Sequence, residues 1–380
     1  MKPIRLTLAA MLLLSACGGN PFVNEPVPTD PTTPVTPDPN GGITTEGGLP
    51  PGTTSPSPST GISRYEPKGK DSADGDSGNG YVREVSYNGP TAAEPTRDTF
   101  TVDNLGFDGN NTFDRATPGT LNNVPGNRGT YALFDGKPSL PDTITGEPIN
   151  QLQYRAIYGV SNDTNGSVKF AIVRTGSYVD YGFGGFIYSR AGGVTLPAEG
   201  SGSSEEFLTS GAKNPAYRGQ AQYTGKVAGL RDFKGAGGME MSTADMTMAI
   251  DFDDFNDGNA VRGTVYNRRI YDLAGNDVTQ TVLDALDTET GRTNNALPVI
   301  QFTIGPGVMN DNGEIVGKLN SNYTDSTGRS VSFEEGKYYA LVSGDNAAGQ
   351  QVVGVYVVEG SDLRYEGVTV RETGGFILQR

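Results

Sequence analysis

Eight short segments in which apolar and polar residues alternate follow one another between residues 216 and 380, and no other feature of the chain narrows the fold so far. They are Gln222–Leu230, Met239–Phe252, Val261–Leu273, Val299–Ile304, Glu314–Tyr323, Val331–Val342, Gln351–Glu359 and Val368–Leu378. In the second, Met246, Met248, Ile250 and Phe252 share one face of a strand, while Thr247, Ala249, Asp251 and Asp253 share the other. Turn residues such as Asn256-Asp257-Gly258 and Gly344-Asp345-Asn346 separate the runs. Eight antiparallel strands keep no free edge if the sheet closes on itself. A barrel of that size is either filled by its own side chains or holds one small ligand. Charges at Arg262, Arg268, Arg269, Asp251 and Glu335 fall on both faces, which favours a water-soluble barrel over a membrane-spanning one. One insert, Asp277–Thr290, spaces Val278, Val282, Leu283 and Leu286 at helical intervals and predicts a short helix.

The region 95–215 reads as a second β-rich unit. Gln153–Tyr158 and Val168–Val173 are strand-like, with Asn162-Asp163-Thr164-Asn165-Gly166 as the turn between them. Tyr178, Tyr181, Phe183, Phe186 and Tyr188 follow, interleaved with glycines. These rings suit either a sheet core eased by small residues or a contact surface, and the core reading is preferred. The small, polar stretch Ala198–Gly211 marks the boundary before the barrel. The chain holds 54 glycines, 24 prolines and no tryptophan, which fits an all-β architecture of short strands and loops.

The N-terminus carries a different kind of signal. Lys2 and Arg5 precede the apolar run Leu6–Leu14, and Leu14-Ser15-Ala16-Cys17 matches a bacterial lipoprotein cleavage box. Residues 1–16 are thus expected to be a signal peptide, with Cys17 receiving the lipid that anchors the chain in the outer membrane. Gly18 in place of aspartate after the cysteine permits that sorting. The apolar run is too short to span a bilayer. Residues 17–94 read as a disordered tether rich in proline, threonine and glycine, whose extended prolines give a reach on the order of 100 Å. Residues 61–80 are taken as its polar continuation. No P-x-x-P pattern with basic flanks supports a proline-rich ligand for a partner domain.

Much chemistry is excluded by what the chain lacks. It has no histidine and one cysteine, so no histidine-based triad, histidine-ligated metal, thiolate cluster or internal disulfide exists. Its net charge of −15 argues against a nucleic-acid partner. The acidic run Asp251 to Gly258 has oxygens for calcium, but Phe255 stands at a position the EF-loop needs for a ligand, so an acidic turn is preferred. Asp76-Ser77-Gly78 has the letters of an aspartic-protease triplet without an apolar strand to desolvate it. Glu334-Glu335 reads as a pair of solvated strand positions. No catalytic residue, cofactor or metal is expected.

Several stretches together resemble one family. Tyr223-Thr224-Gly225-Lys226-Val227-Ala228-Gly229 opens the pattern. Met246 to Phe252, Val261-Arg262-Gly263-Thr264-Val265, Gly354-Val355-Tyr356 and Glu372-Thr373-Gly374-Gly375-Phe376 continue it. With the anchor and tether, this is similar to the transferrin-binding protein B-like surface lipoproteins of Gram-negative bacteria, over about residues 150–380. The resemblance implies a β-rich handle domain (95–215) beside an eight-stranded barrel (216–380), here as a single lobe. It also implies an outer-membrane receptor or translocator as a helper, and a binding role toward a protein or small solute. It supplies no ligand-contact residues. The alternative is a structural or adhesive envelope lipoprotein without a small ligand.

Overall fold

The structure is a computed structural model that describes residues 48–67, 82–94, 97–105, 109–121, 131–163, 166–181, 183–197, 219–252, 261–303, 308–345 and 349–380. The first ten strands are β1 (Ile62–Tyr65), β2 (Val85–Asn88), β3 (Thr99–Leu105), β4 (Gly109–Leu121), β5 (Tyr131–Asp135), β6 (Ser139–Pro141), β7 (Pro148–Asn150), β8 (Tyr154–Asp163), β9 (Gly166–Thr175) and β10 (Gly184–Arg190). Apart from the small β6–β7 hairpin they form one antiparallel sheet in the order β1-β10-β9-β8-β5-β4-β3-β2. Ile62–Ser63 from one edge and Val85–Tyr87 from the other line a single cleft, so this handle sheet curls until its edges face each other.

The barrel follows as β11 (Gln220–Lys234), β12 (Met239–Asp251), β13 (Val261–Tyr271), helix α1 (Thr279–Thr290), β14 (Ile300–Phe302), β15 (Glu314–Thr324), β16 (Ser330–Ser343), β17 (Gln351–Ser361) and β18 (Thr369–Gln379). It is closed, each strand pairs antiparallel with the next, and β18 returns to β11 from Thr224↔Gln379 to Lys234↔Thr369. All eight expected strands and the helix are present. Met246, Met248, Ile250 and Phe252 point inward, with Tyr223, Phe302, Tyr338, Tyr356 and Phe376. Phe302 and Tyr338 lie with ring centroids 4.1 Å apart. Of the two outcomes open to an eight-stranded barrel, this one is filled by its own side chains. Helix α1 ends at Gly291, in the left-handed conformation at φ 65°, whose N–H donates to the Asp287 carbonyl. The helix buries Val282, Leu283 and Leu286 against Ile270, Leu297 and Phe333 at one end of the barrel.

Two findings depart from the sequence reading. The stretch 17–94 is not all tether, since β1 and β2 fall inside it and form the edges of the handle sheet. Polar composition concealed β1: Arg64 is buried because it donates to Glu314 across 2.6 Å, an ion pair between handle and barrel. Nor is Glu334 solvated. It is buried, and so is Arg268.

A bulge brings Arg268 inside, whereas Glu334 shares the inward face of Tyr338, Ala340 and Val342. Between Thr243 and Asp245 of β12 the partner strand advances from Arg269 to Tyr266, one residue more than alternation allows, and Asn267 takes φ 53° there. The extra residue shifts the alternation, so Arg268 and Ile270 continue the inward row begun by Val261 and Val265. A second register shift, between Ser321 and Asn322, leaves Phe333 as the surplus residue on β16, and both Phe333 and Glu334 are buried.

Handle and barrel share a wall. Ile157, Phe170, Ile172 and Phe186 of the handle pack with Leu230, Tyr339, Val355 and Ile377 of the barrel in one apolar cluster. Gly375 is required at this contact, because a methyl group there would overlap the Phe170 ring. The Tyr131 hydroxyl reaches into the barrel wall, donating to the Lys226 carbonyl at 2.8 Å and accepting from the Ile377 N–H at 2.9 Å. Arg174 lies buried between Glu66, at 2.7 Å, and the Thr373 hydroxyl, at 3.0 Å. Arg190 donates to the Asn312 and Val342 carbonyls at 2.6 and 2.7 Å. Burial lowers its pKa to about 10, against an opposing pull from Glu314.

Candidate functional site

Tyr178 to Tyr188, the glycine-spaced rings of the sequence, split into two groups. Phe186 and Tyr188 lie in β10, where the alternation and both neighbouring strands bury them completely. Tyr178 and Val179 lie in the loop before it, at 49% and 71% exposure. The preferred core reading holds for the strand rings Phe186 and Tyr188, Tyr181 and Phe183 are half-buried, and Tyr178 is exposed.

The loop is pinned to the barrel. Gly238 N–H donates to the Gly176 carbonyl at 2.9 Å, and Gly235 N–H donates to the Val179 carbonyl at 2.8 Å. Tyr181 shares a 3.0 Å hydrogen bond with the Thr369 hydroxyl, and the Arg371 guanidinium lies 4.5 Å from its ring centroid. Tyr178 meets Phe183 edge-on at 5.5 Å. Lys234 and Asp180 approach within 3.6 Å at the rim.

Gly235 packs against the Gly367 carbonyl of the β17–β18 loop. That loop presents Tyr365 at 57% exposure, held by its N–H bond to Asp362. Arg364 beside it is fixed by Asp362 and by Glu240 at 2.7 and 2.6 Å. The result is a rim at which one handle loop and two barrel loops display two tyrosines and a valine from a hydrogen-bonded base. Large rings held in place lose little entropy on contact, so such a rim suits a macromolecular partner.

Beneath the rim the barrel end holds a polar layer. Arg268 donates to both oxygens of Glu334 at 2.7 Å and to Glu372 at 2.9 Å. Glu372 also accepts from the Tyr356 hydroxyl at 2.6 Å. Arg231 pairs with Glu240 at 2.5 Å. Burial pushes the Glu372 carboxyl up, but Arg268 and Arg231 outweigh it and hold its pKa below the ordinary range. Glu334, Glu372 and Glu240 are each engaged by a guanidinium. The role of the layer is to anchor the strand ends that carry the rim.

Asp251 closes β12 and accepts from the Gln220 amide at 3.0 Å, as a strand-end residue. Asp253 to Gly258, Asp76-Ser77-Gly78, the boundary stretch from Ala198 and the lipidation candidate Cys17 lie outside the described residues. Sequence reasoning missed Tyr365, since a lone tyrosine between Arg364 and Glu366 gives no signal until the loop is placed beside Val179. It also missed Tyr87, 42% exposed in β2.

No family model and no curated protein matches the chain. Among solved structures, it is similar to a crystal structure of transferrin binding protein B from Haemophilus parasuis Hp5, a vaccine antigen in double-mutant form. The identity is 9% and the TM-score 0.29, with 79% of this chain covered and 54% of that one. The chain thus spans about half the length of that protein.

Proposed function

We propose that the protein is a lipoprotein, anchored in the outer membrane through Cys17 and exposed on the cell surface, that binds a protein ligand through the rim formed by Tyr178, Val179 and Tyr365. The supporting observation is this rim: Tyr178 and Val179 exposed on a handle loop fixed to the barrel by backbone hydrogen bonds, beside Tyr365 exposed on a barrel loop held by its own backbone bond to Asp362. The filled barrel supports a site on the outside of the molecule rather than in its lumen. The function is binding, not catalysis. The anchor rests on the cleavage box ending at Cys17, and a dedicated outer-membrane translocator would carry the chain to the surface.

The full chain carrying Cys17→Ser, with and without Tyr178→Ala and Tyr365→Ala, tests the rim. A saturable partner retained by the parent and lost by the rim variant, at unchanged thermal stability, is the expected result. A partner retained equally by both would overturn the assignment. The anchor is tested separately: Cys17→Ser should abolish partition into membranes, and protease applied to intact cells should cut the tether.

A further inference from the structure

The cleft at the seam of the handle sheet has a volume of about 800 Å³. Tyr87 and Tyr158 stack in it with centroids 5.8 Å apart and planes 15° from parallel, and Val160 extends the apolar surface at 46% exposure. Arg83 and Lys169 line it against a single acid, Glu84. An aromatic trough with a basic margin is the kind of surface that holds a polyproline II segment.

The chain upstream leaves from the edge of this same cleft. The Pro51 carbonyl accepts from Tyr65 N–H at 3.0 Å, and Thr53 N–H donates to the Ser63 carbonyl at 3.0 Å, so residues 51–53 run along the outer side of β1. Thr53 itself lines the cleft. Upstream, prolines recur at every third position, at Pro28, Pro31, Pro34 and Pro37. A polyproline II helix has three residues per turn, so in that conformation these four rings would form one stripe. Asp30 and Asp38 lie within or beside the stripe, and no lysine or arginine occurs between residues 18 and 47. The charge of the segment is therefore opposite to that of the cleft margin.

We infer that the proline stripe Pro28–Pro37 of this chain docks as a polyproline II segment in the Tyr87–Tyr158 cleft of its own handle. From Pro37 to Gly48 the extended chain spans about 30 Å at ~3.1 Å per residue, enough to fold back to a cleft whose edge is at Thr53. A tether of that length gives an effective concentration in the millimolar range, on the order of that needed for a weak contact to stay closed. Docking shortens the reach of the tether, and so sets how far the folded part stands from its anchor. The inference does not depend on the rim or on the identity of any ligand.

A single spin label tests it. The full chain carrying Cys17→Ser and Val35→Cys is labelled at position 35, and relaxation enhancement is read at the amides of 83–88 and 158–169. Strong broadening there is expected, with loss of it when Pro28, Pro31, Pro34 and Pro37 are all replaced by alanine. Tyr87→Ala, at an exposed position, should lose it as well. Asp30→Asn with Asp38→Asn should weaken it, as should raised salt. No broadening at the cleft, or broadening that survives the proline replacement, overturns the inference. So does broadening seen only between a labelled and a separate isotope-enriched molecule, which would make a second copy the occupant.

Discussion

Replacing Arg268 with methionine should be the most costly single change in the polar layer, for a reason that can be checked by pH. The substitution keeps most of the aliphatic volume but removes three charge-assisted hydrogen bonds, two to Glu334 at 2.7 Å and one to Glu372 at 2.9 Å. Both carboxylates stay buried, at side-chain exposures of 3% and 2%. Stranding buried charge in this way costs about 3–5 kcal/mol. In the parent, the folded-state pKa of Glu372 is depressed, so its contribution is present above the unfolded carboxylate pKa and is lost as pH falls through the folded value. In the variant, burial acts on Glu372 with less opposition and its carboxylate protonates more readily. Its penalty is then largest near pH 8 and shrinks toward pH 5. Urea unfolding of the full chain carrying Cys17→Ser, with and without Arg268→Met, measures the gap at both ends of about pH 5 to 8. Adding Glu334→Gln and Glu372→Gln should recover part of the loss. A gap below about 1 kcal/mol, or one that does not change with pH, would refute the reasoning.

Other perturbations address the shared wall, a buried acid and the bulge on β13. Gly375→Ala should destabilise by about 1–3 kcal/mol through overlap with Phe170, and Phe170→Leu should offset part of this in a double-mutant cycle by denaturant unfolding. Tyr131→Phe leaves the Lys226 carbonyl and the Ile377 N–H without their hydroxyl partner, a loss of about 1–3 kcal/mol by the same assay. Glu359 has its pKa raised, chiefly by burial, with Arg371 opposing. The folded state therefore disfavours its charge, and Glu359→Gln should stabilise the protein at neutral pH, with the gain vanishing as pH falls below the unfolded carboxylate value. Asn267→Val forces a branched side chain into φ 53° and should cost about 1–2 kcal/mol, whereas Asn267→Gly should be near neutral in thermal melts.

Sequence patterning exposed the barrel because its signal is local. The alternation through Met246, Met248, Ile250 and Phe252 needs no knowledge of neighbours to assign a buried face. Glu334 escaped because its charge masked an alternation that it shares with Tyr338, Ala340 and Val342, and Arg268 because it lies next to a bulge, where one surplus residue reverses the side a position faces. A bulge is a property of a strand pair, so a single strand read alone does not show it. β1 and β2 escaped because four-residue edge strands carry too few apolar positions, and β1 uses an ion pair to the barrel in place of one. At the rim, the rings of the β9–β10 loop were visible as an unusual cluster. Tyr365 joins them only through the packing of Gly235 between two loops.

The pairing of β18 with β11 has a consequence for biogenesis. The ring is completed by β18, the last strand of the barrel, so a chain emerging N-terminus first has no finished cylinder until that strand appears. Until then β11 and β17 each present an open ladder, and the wall that the handle rests on is incomplete. Such a late, long-range closure folds slowly compared with local hairpins. β18 is thus the latch of the cylinder: only once it lies between β17 and β11 is the seat of the handle whole.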